Sequence, residues 1–240
     1  MSWRITPTQP VPVDPVFNNV SLLLHGNGTN GSTTITDSSP TPKTVTAVGN
    51  AQISTAQSKF GGASIAFDGS GDYLELASSA DLNFGTADFT VEAWINLTQM
   101  SGTRYPSIIA SNPGSWGAGA VSFAAGHTAA PLKFALYANG NETPIVSSNS
   151  NVVNTGTFVH VACTRSAGTW RMFVNGVLES TNSTRTDAIN ISTNGTRVGA
   201  DGWNGALGQI QGYIDDLRIT KGFARYTANF TPPTAPFPDI

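Results

Sequence analysis

Hydrophobic and polar residues alternate in short blocks along most of this 240-residue chain. In Asp88 to Leu97 (DFTVEAWINL), an extended backbone places Phe89, Val91, Ala93, Ile95 and Leu97 on one face. Thr90, Glu92, Trp94 and Asn96 then lie opposite, because successive side chains of a strand point to opposite sides. Leu132 to Ala138 (LKFALYA) repeats the pattern with Leu132, Phe134, Leu136 and Ala138 inward. Further strand-like runs at 20–25, 63–67, 73–76, 107–111, 120–125, 158–165, 170–174, 177–180, 196–199 and 210–219 are separated by Gly, Ser, Asn and Pro. Trp170 to Leu178 (WRMFVNGVL) sets Asn175-Gly176 between two apolar runs. This predicts a tight hairpin, since both central residues of such a turn need positive φ. No helical periodicity persists for a dozen residues, so helix is expected only as short turns near Ala80 to Leu82 and Phe223 to Tyr226.

So many strands, with connections too short for crossover helices, predict antiparallel pairing in two packed sheets. The expected fold is all-β, a two-sheet antiparallel jelly-roll sandwich over residues 18–240. The runs Phe60 to Leu76 (FGGASIAFDGSGDYLEL) and Gln209 to Thr220 (QIQGYIDDLRIT) suggest that its first and last strands meet. The length suits one large β-sandwich, which can run to roughly 200–250 residues. Residues 1–17 carry Pro7, Pro10, Pro12 and Pro15, whose fixed φ and missing N–H disfavour helix and central strand, leaving an extended arm. Such an arm is either a disordered leader or a docking peptide with Trp3 and Val11 as anchors.

Charged residues make up only 11% of the chain, and 12 basic against 15 acidic side chains leave a net charge of -3. The surface must therefore be covered mainly by hydroxyls and amides, as in extracellular or particle-bound β proteins. Without a concentrated basic footprint, nucleic acid is not an expected partner. Cys163, the single cysteine, reads as a small buried hydrophobe in FVHVAC, and no internal disulfide framework exists. No apolar run reaches the roughly 18 residues of a membrane span, so membrane insertion is not expected, and the first residues lack the apolar core of a signal peptide.

Two loops mix an aromatic residue with amides and backbone-rich glycines, the combination that stacks on a sugar ring and bonds its hydroxyls: 112–117 (NPGSWG) and 201–205 (DGWNG). Trp116, Trp203 and Asn204, with Tyr105 as a further aromatic platform, are the glycan-binding candidates. The alternative is that these tryptophans fold back over the sandwich edge and bury area there. Trp94 and Trp170, inside strands, read as packing residues. His25, His127 and His160 have no metal-ligand spacing. Asp68 and Asp72 read as turn residues that bond nearby backbone, and Asp215 and Asp216, adjacent on a strand, are expected on opposite faces.

The segments SLLLHGNGTNGSTTITDSS, KFGGASIAFDGSGDYLEL, DFTVEAWINL, FVHVACTR, WRMFVNGV and GYIDDLRITKGFARYTANFTPP, in this order, resemble the concanavalin A-like lectin/glucanase superfamily, and in particular its laminin-G-like jelly rolls. The closing ARYTANFTPPTAPFP is similar to domains of tailed bacteriophage and marine viral proteins. The resemblance implies a sandwich that binds carbohydrate or protein. It also implies a structural calcium position that maps onto Asn27, the backbone around Gly69, and Asp215, with no cofactor required for function. Glucanases of the superfamily carry catalytic carboxylates in a Glu-x-Asp-x-x-Glu pattern on one strand. Here Glu75 and Glu92 stand alone, and no Gly-x-Ser-x-Gly elbow is present, so no catalytic residue is assigned and a non-enzyme is expected. The resulting expectation is a phage virion structural protein: a capsid decoration, appendage or tail-associated subunit exposed on the particle. Its partners would be other virion proteins, further copies of itself, such as a trimer, and a host surface glycan. The alternatives are a free extracellular lectin and, less favoured by the residue pattern, a polysaccharide-cleaving enzyme.

Overall fold

The structure, a computed structural model, describes residues 13–99, 106–111, 117, 119–125, 133–141, 143–149, 155–191, 194–202 and 208–240. In chain order the strands are β1 (Val20–Leu24), β2 (Val45–Val48), β3 (Gln52–Ser54), β4 (Ser64–Asp68), β5 (Tyr73–Leu76), β6 (Asn83–Gly85), β7 (Phe89–Leu97), β8 (Ser107–Ser111), β9 (Val121–Ala125), β10 (Phe134–Ala138), β11 (Val146–Ser147), β12 (Val159–Ser166), β13 (Thr169–Val174), β14 (Val177–Asn182), β15 (Ile189–Asn190), β16 (Thr196–Val198) and β17 (Gln211–Lys221). One large sheet runs β14-β13-β12-β7-β17-β4-β3, with β1 also paired to β17. The second runs β11-β10-β9-β8-β16-β5-β2, and β15 pairs β6 in a small ribbon. All of these ladders are antiparallel, and the two large sheets pack as a jelly-roll sandwich. The first strand meets the last along Val20↔Thr220 to Leu24↔Leu217.

Alternation builds the core. Val91, Ala93, Ile95 and Leu97 from β7 join Phe123, Phe134 and Leu136 from the facing sheet in one contiguous apolar cluster. Each fully buried Leu, Ile or Phe contributes roughly 1.5–3 kcal/mol of transfer free energy. Trp170 is fully buried, lies edge-on to Phe89 at 5.8 Å, and satisfies its indole N–H on the Arg185 carbonyl at 2.9 Å. Strands β2, β3, β6, β11 and β15 fall outside the runs predicted from the sequence. They are only two to four residues long, so alternation has too few positions to show.

A second difference concerns the far face of β7. All nine of its residues are buried, although alternation alone would leave one side to water. The cover is the C-terminal segment 222–240, which crosses this outer face as a strap. Thr90 Oγ1 donates to the Phe223 carbonyl and accepts from the Arg225 N–H, Thr164 Oγ1 donates to the Tyr226 carbonyl, and the Phe237 N–H donates to Asp216. The short helix expected at Phe223 to Tyr226 is therefore absent. The backbone groups there bond to strand side chains across the sheet, while the Tyr226 and Phe230 rings stack with centroids 3.6 Å apart. The turn at Ala80–Leu82 does form, as a 3-10 turn capped by Ser79. Of the arm, residues 13–17 are described, and Phe17–Asn19 is a 3-10 turn rather than extended chain. Asp14 is buried and its N–H donates to the Ile240 carbonyl. The anchors Trp3 and Val11 lie outside the described residues.

The predicted hairpin forms between β13 and β14, with Asn175 and Gly176 at φ 47° and 77°. Gly176 also touches the strap: it accepts the Phe230 N–H, and a Cβ at this position would lie 1.9 Å from the Phe230 carbonyl oxygen. Gly176→Ala is therefore expected to cost about 2 kcal/mol or more, combining left-handed strain with displacement of the strap. Asn175→Asp, which keeps a side-chain acceptor for the His160 N–H and tolerates the left-handed turn, should stay within about 1 kcal/mol of the wild type. Urea denaturation of both variants measures the difference.

Candidate functional site

Beyond the strap, the same outer face stays open. Asn50, Gln52 and Ser54, Ala66 and Asp68, Thr98, and Gln211 and Tyr213 line a groove of about 530 Å³, floored by Phe67 and Gly212. That volume is within the roughly 300–1,000 Å³ typical of small-ligand sites. The register explains the gathering. Ala66 pairs with both Gln52 and Tyr213, and Asp68 with Gln211, so alternate residues of β3, β4 and β17 stand side by side on one face. Gly212, whose Cβ would approach the Asn96 carbonyl to 2.2 Å, lets β17 lie close on β7 at this point.

Asp68 is held by its turn: Oδ1 accepts the Ser70 N–H and Oδ2 accepts from Asn50 Nδ2 at 2.8 Å. The Asn50 amide holds the Asp68 carboxyl below the usual range, so it is ionised at neutral pH. Buried Asp72 accepts the N–H groups of Asn50 and Asp68, each at 2.6 Å, and closes the turn. The turn roles expected for both aspartates are thus observed. By contrast, the side chains of Gln52, Gln211 and Tyr213 make no hydrogen bond among the described residues, and all three are partly exposed. The groove therefore offers an aromatic ring and uncommitted amides and hydroxyls, the functional groups that hold a polyol.

A family model described as the concanavalin A-like lectin/glucanases superfamily, of laminin-G type, matches residues 68–223, more than half of the chain. The chain belongs to this superfamily. No curated protein matches it in sequence. Among solved structures it is similar to domain 4 of AbnA, a GH43 extracellular arabinanase from Geobacillus stearothermophilus, in complex with arabinotriose. The TM-score is 0.60 at 17% identity, over 85% of this chain and 94% of that one. It is also similar to the binding domain of Paraclostridial Mosquitocidal Protein 1 (TM-score 0.60, 13% identity, 86% and 49% of the two chains) and to the botulinum neurotoxin serotype D binding domain (0.60, 16%, 87% and 49%). The chain spans about half the length of these toxin domains. At such identities the likeness concerns the fold.

Tyr105, Trp116, Trp203 and Asn204 lie outside the described residues. The base of the 201–208 loop is closed by the Gly208 N–H on Asp201 Oδ2 and the Asp201 N–H on the Gly208 carbonyl. Trp94 is a packing residue as expected, buried against Phe60 and His160, with Lys59 Nζ 3.8 Å from its ring centroid. Cys163 is buried, and burial pushes its thiol pKa up, away from reactivity.

The trio proposed for calcium does not converge. Asn27 is exposed and lies against Gly61, whereas Gly69 sits against Gln211, four residues along β17 from Asp215, or about 13 Å at strand rise. Among the described residues no group of three or more His, Cys, Asp or Glu side chains could hold a metal ion. Asp215 instead accepts the N–H groups of Lys59 at 2.6 Å and Phe60 at 3.1 Å, both on Oδ2, and leaves Oδ1 buried without a partner. The expectation that Asp215 and Asp216 alternate also fails. A bulge places Asp216 at φ 50°, so that two residues of β17 oppose one of β7, and Asp216 engages His25 and the strap N–H of Phe237.

Glu92 is the feature that sequence reasoning underrated. It is fully buried under the strap, accepts from Arg218 Nε and Nη2 at 2.9 and 2.8 Å and from the Tyr226 hydroxyl at 2.8 Å, and lies 3.3 Å from His160 Nε2. Burial alone would raise its pKa, but Arg218, His160 and Arg225 drive it down to about 2.

Burial has the upper hand at Asp215 and pushes its pKa up to about 6, with the Asp216 charge adding to the effect. Because the folded-state pKa lies above the unfolded one, this group favours folding at low pH and loses that contribution as pH rises from about 4 to about 6. Asp215→Asn keeps an acceptor for the Lys59 and Phe60 N–H groups and removes the buried charge. It is expected to be more stable than wild type at pH 8, by on the order of 1–3 kcal/mol, and indistinguishable near pH 4. Chemical denaturation at the two pH values measures this.

Proposed function

We propose that this jelly roll is a non-enzymatic carbohydrate-binding domain whose outer-face groove receives a polysaccharide. The observation that carries the reading is the groove itself, where Tyr213, Gln52 and Gln211 stand unbonded on adjacent strands around the small Ala66. Sugar rings present flat apolar faces and a rim of hydroxyls that both donate and accept. An aromatic wall with amides answers both needs. The structural likeness to an arabinanase domain in complex with arabinotriose agrees with this ligand class. Non-catalysis is supported by the carboxylates: Glu92 is sealed beneath Arg218 and Tyr226, and Asp215 is buried.

A second reading concerns where the domain works. The closing ARYTANFTPPTAPFP, which forms most of the strap, resembles tailed-phage sequences and supports display on a virion as a decoration, appendage or tail-associated subunit. In that setting the groove faces a host surface glycan, and the subunit associates with other virion proteins or with copies of itself. The two readings are compatible, since a particle protein can adhere through a lectin face.

Binding is tested by affinity electrophoresis of the full chain through gels containing polysaccharide. Tyr213→Ala is expected to lose retardation by on the order of tenfold or more, as removal of a central aromatic anchor does elsewhere. Unchanged retardation would falsify the groove assignment. The virion reading is tested by immuno-electron microscopy of the native source. Label on particles is expected, and protein found only free in the medium would favour a soluble lectin.

A further inference from the structure

Resting on the glycan reading, we infer that the groove selects a neutral polysaccharide chain, laid across β3, β4 and β17, and that it discriminates against sulfated or uronic-acid polymers. Among the described residues the lining contains no Lys, Arg or His, and its single formal charge is the Asp68 carboxylate. A sulfate or carboxylate on the ligand offers only acceptors and would need a cationic partner here; instead it would face Asp68. Each such opposition costs roughly three- to tenfold in affinity at a solvated surface. Neutral hydroxyls meet a matching set, because Gln52, Gln211 and Asn50 are amides that donate and accept, and Asp68 accepts.

The layout gives the direction. Gln52, Ala66 and Tyr213 form one cross-strand row and Asp68 and Gln211 the next, with rows roughly 7 Å apart and strands about 4.8 Å apart. Ala66 stands between two longer side chains and leaves a trough, while Tyr213 walls its inner end. β3 is the last strand of its sheet, its outer edge bonded by Gly31 and Ser32 through Ile53, and no residue of that segment lines the groove, so the trough runs across the face toward it. The first row continues to Asn96, the β7 partner of Tyr213. Asn96 is 2% exposed and its Oδ1 is buried without a hydrogen bond. Asn96 does not line the groove and lies beyond the Tyr213 wall, so the ligand's polar partners are those of the two rows.

The test uses the full chain in affinity electrophoresis against neutral polysaccharides, each run beside its own sulfated or carboxymethylated derivative. At least one neutral polymer is expected to retard the protein and its charged derivative roughly tenfold less. Asp68→Asn, which preserves the turn, should narrow that gap, and Tyr213→Ala should abolish retardation while Tyr213→Phe retains most of it. Tighter binding of the charged derivative, still lost in Tyr213→Ala, would overturn the neutral selectivity and leave the groove as a glycan site. Binding of no polymer, or binding indifferent to Tyr213→Ala in variants with wild-type circular dichroism, would overturn the glycan reading and the selectivity together.

Discussion

The buried pair Glu92–Arg218 is the interaction on which the outer face depends. Two charges withdrawn from water carry a desolvation penalty of several kcal/mol each, so they persist only with close geometry and further partners. Here Arg218 donates twice to Glu92, lies over the Phe237 ring at 3.7 Å and approaches Asp14 at 3.3 Å. Arg225 closes the set with two hydrogen bonds to Asp14, the shorter at 2.6 Å, and Tyr226 caps the second Glu92 oxygen. Every member but Glu92, Arg218 and the nearby His160 comes from the strap or the residues before β1. The network is thus a lock between the centre of a sheet and the two ends of the described chain. Removing one partner would strand a charge in the interior, so the strap and the pair stand or fall together.

The lock also divides the face. Strand β17 carries Arg218 at one end and Tyr213 and Gln211 at the other, with the bulge at Asp216 between them. On the Arg218 side the strap covers the face; on the Tyr213 side no described segment crosses, and the groove results. The bulge re-aims the intervening carboxylates, Asp215 to the Lys59–Phe60 backbone and Asp216 to His25 and Phe237, tying the turn before β4 and the end of β1 to the same strand.

Much of this architecture is legible from residue order. Period-two runs locate the long strands, Asn175-Gly176 marks its hairpin, and the opposition of Glu92 to the apolar face of β7 is correct. What alternation does not reveal is the fate of the second face. A strand pattern of DFTVEAWINL reads as one face buried and one wet, and only the return of a Pro-rich segment with no helical or strand period shows that both are covered. The bulge escapes for a related reason: Asp-Asp in a strand reads as alternation unless one residue adopts positive φ, a state that aspartate tolerates but does not announce. The groove was visible in part, since Gln211 and Tyr213 share a face by period two. Its other half comes from β3, a strand of three residues whose register with β4 is a long-range fact. The loop tryptophans Trp116 and Trp203 lie outside the described residues, and the groove's aromatic ring and two of its amides stand on strands.

Placement on strands has an energetic consequence for recognition. A carbohydrate offers little apolar area, so a site that must order its own side chains on binding loses much of the gain to entropy. In this sandwich Gln52, Ala66, Asp68, Gln211 and Tyr213 project from β3, β4 and β17, the last of which is paired on both sides and clamped through Arg218 beneath the strap. Tyr213 therefore moves only about its own side-chain torsions, on a backbone fixed by the β4 and β7 ladders. Under the proposed carbohydrate reading, the buried ion network, which by itself is an expensive way to stabilise a fold, gains a functional rationale: it anchors the strand that carries Tyr213 and Gln211.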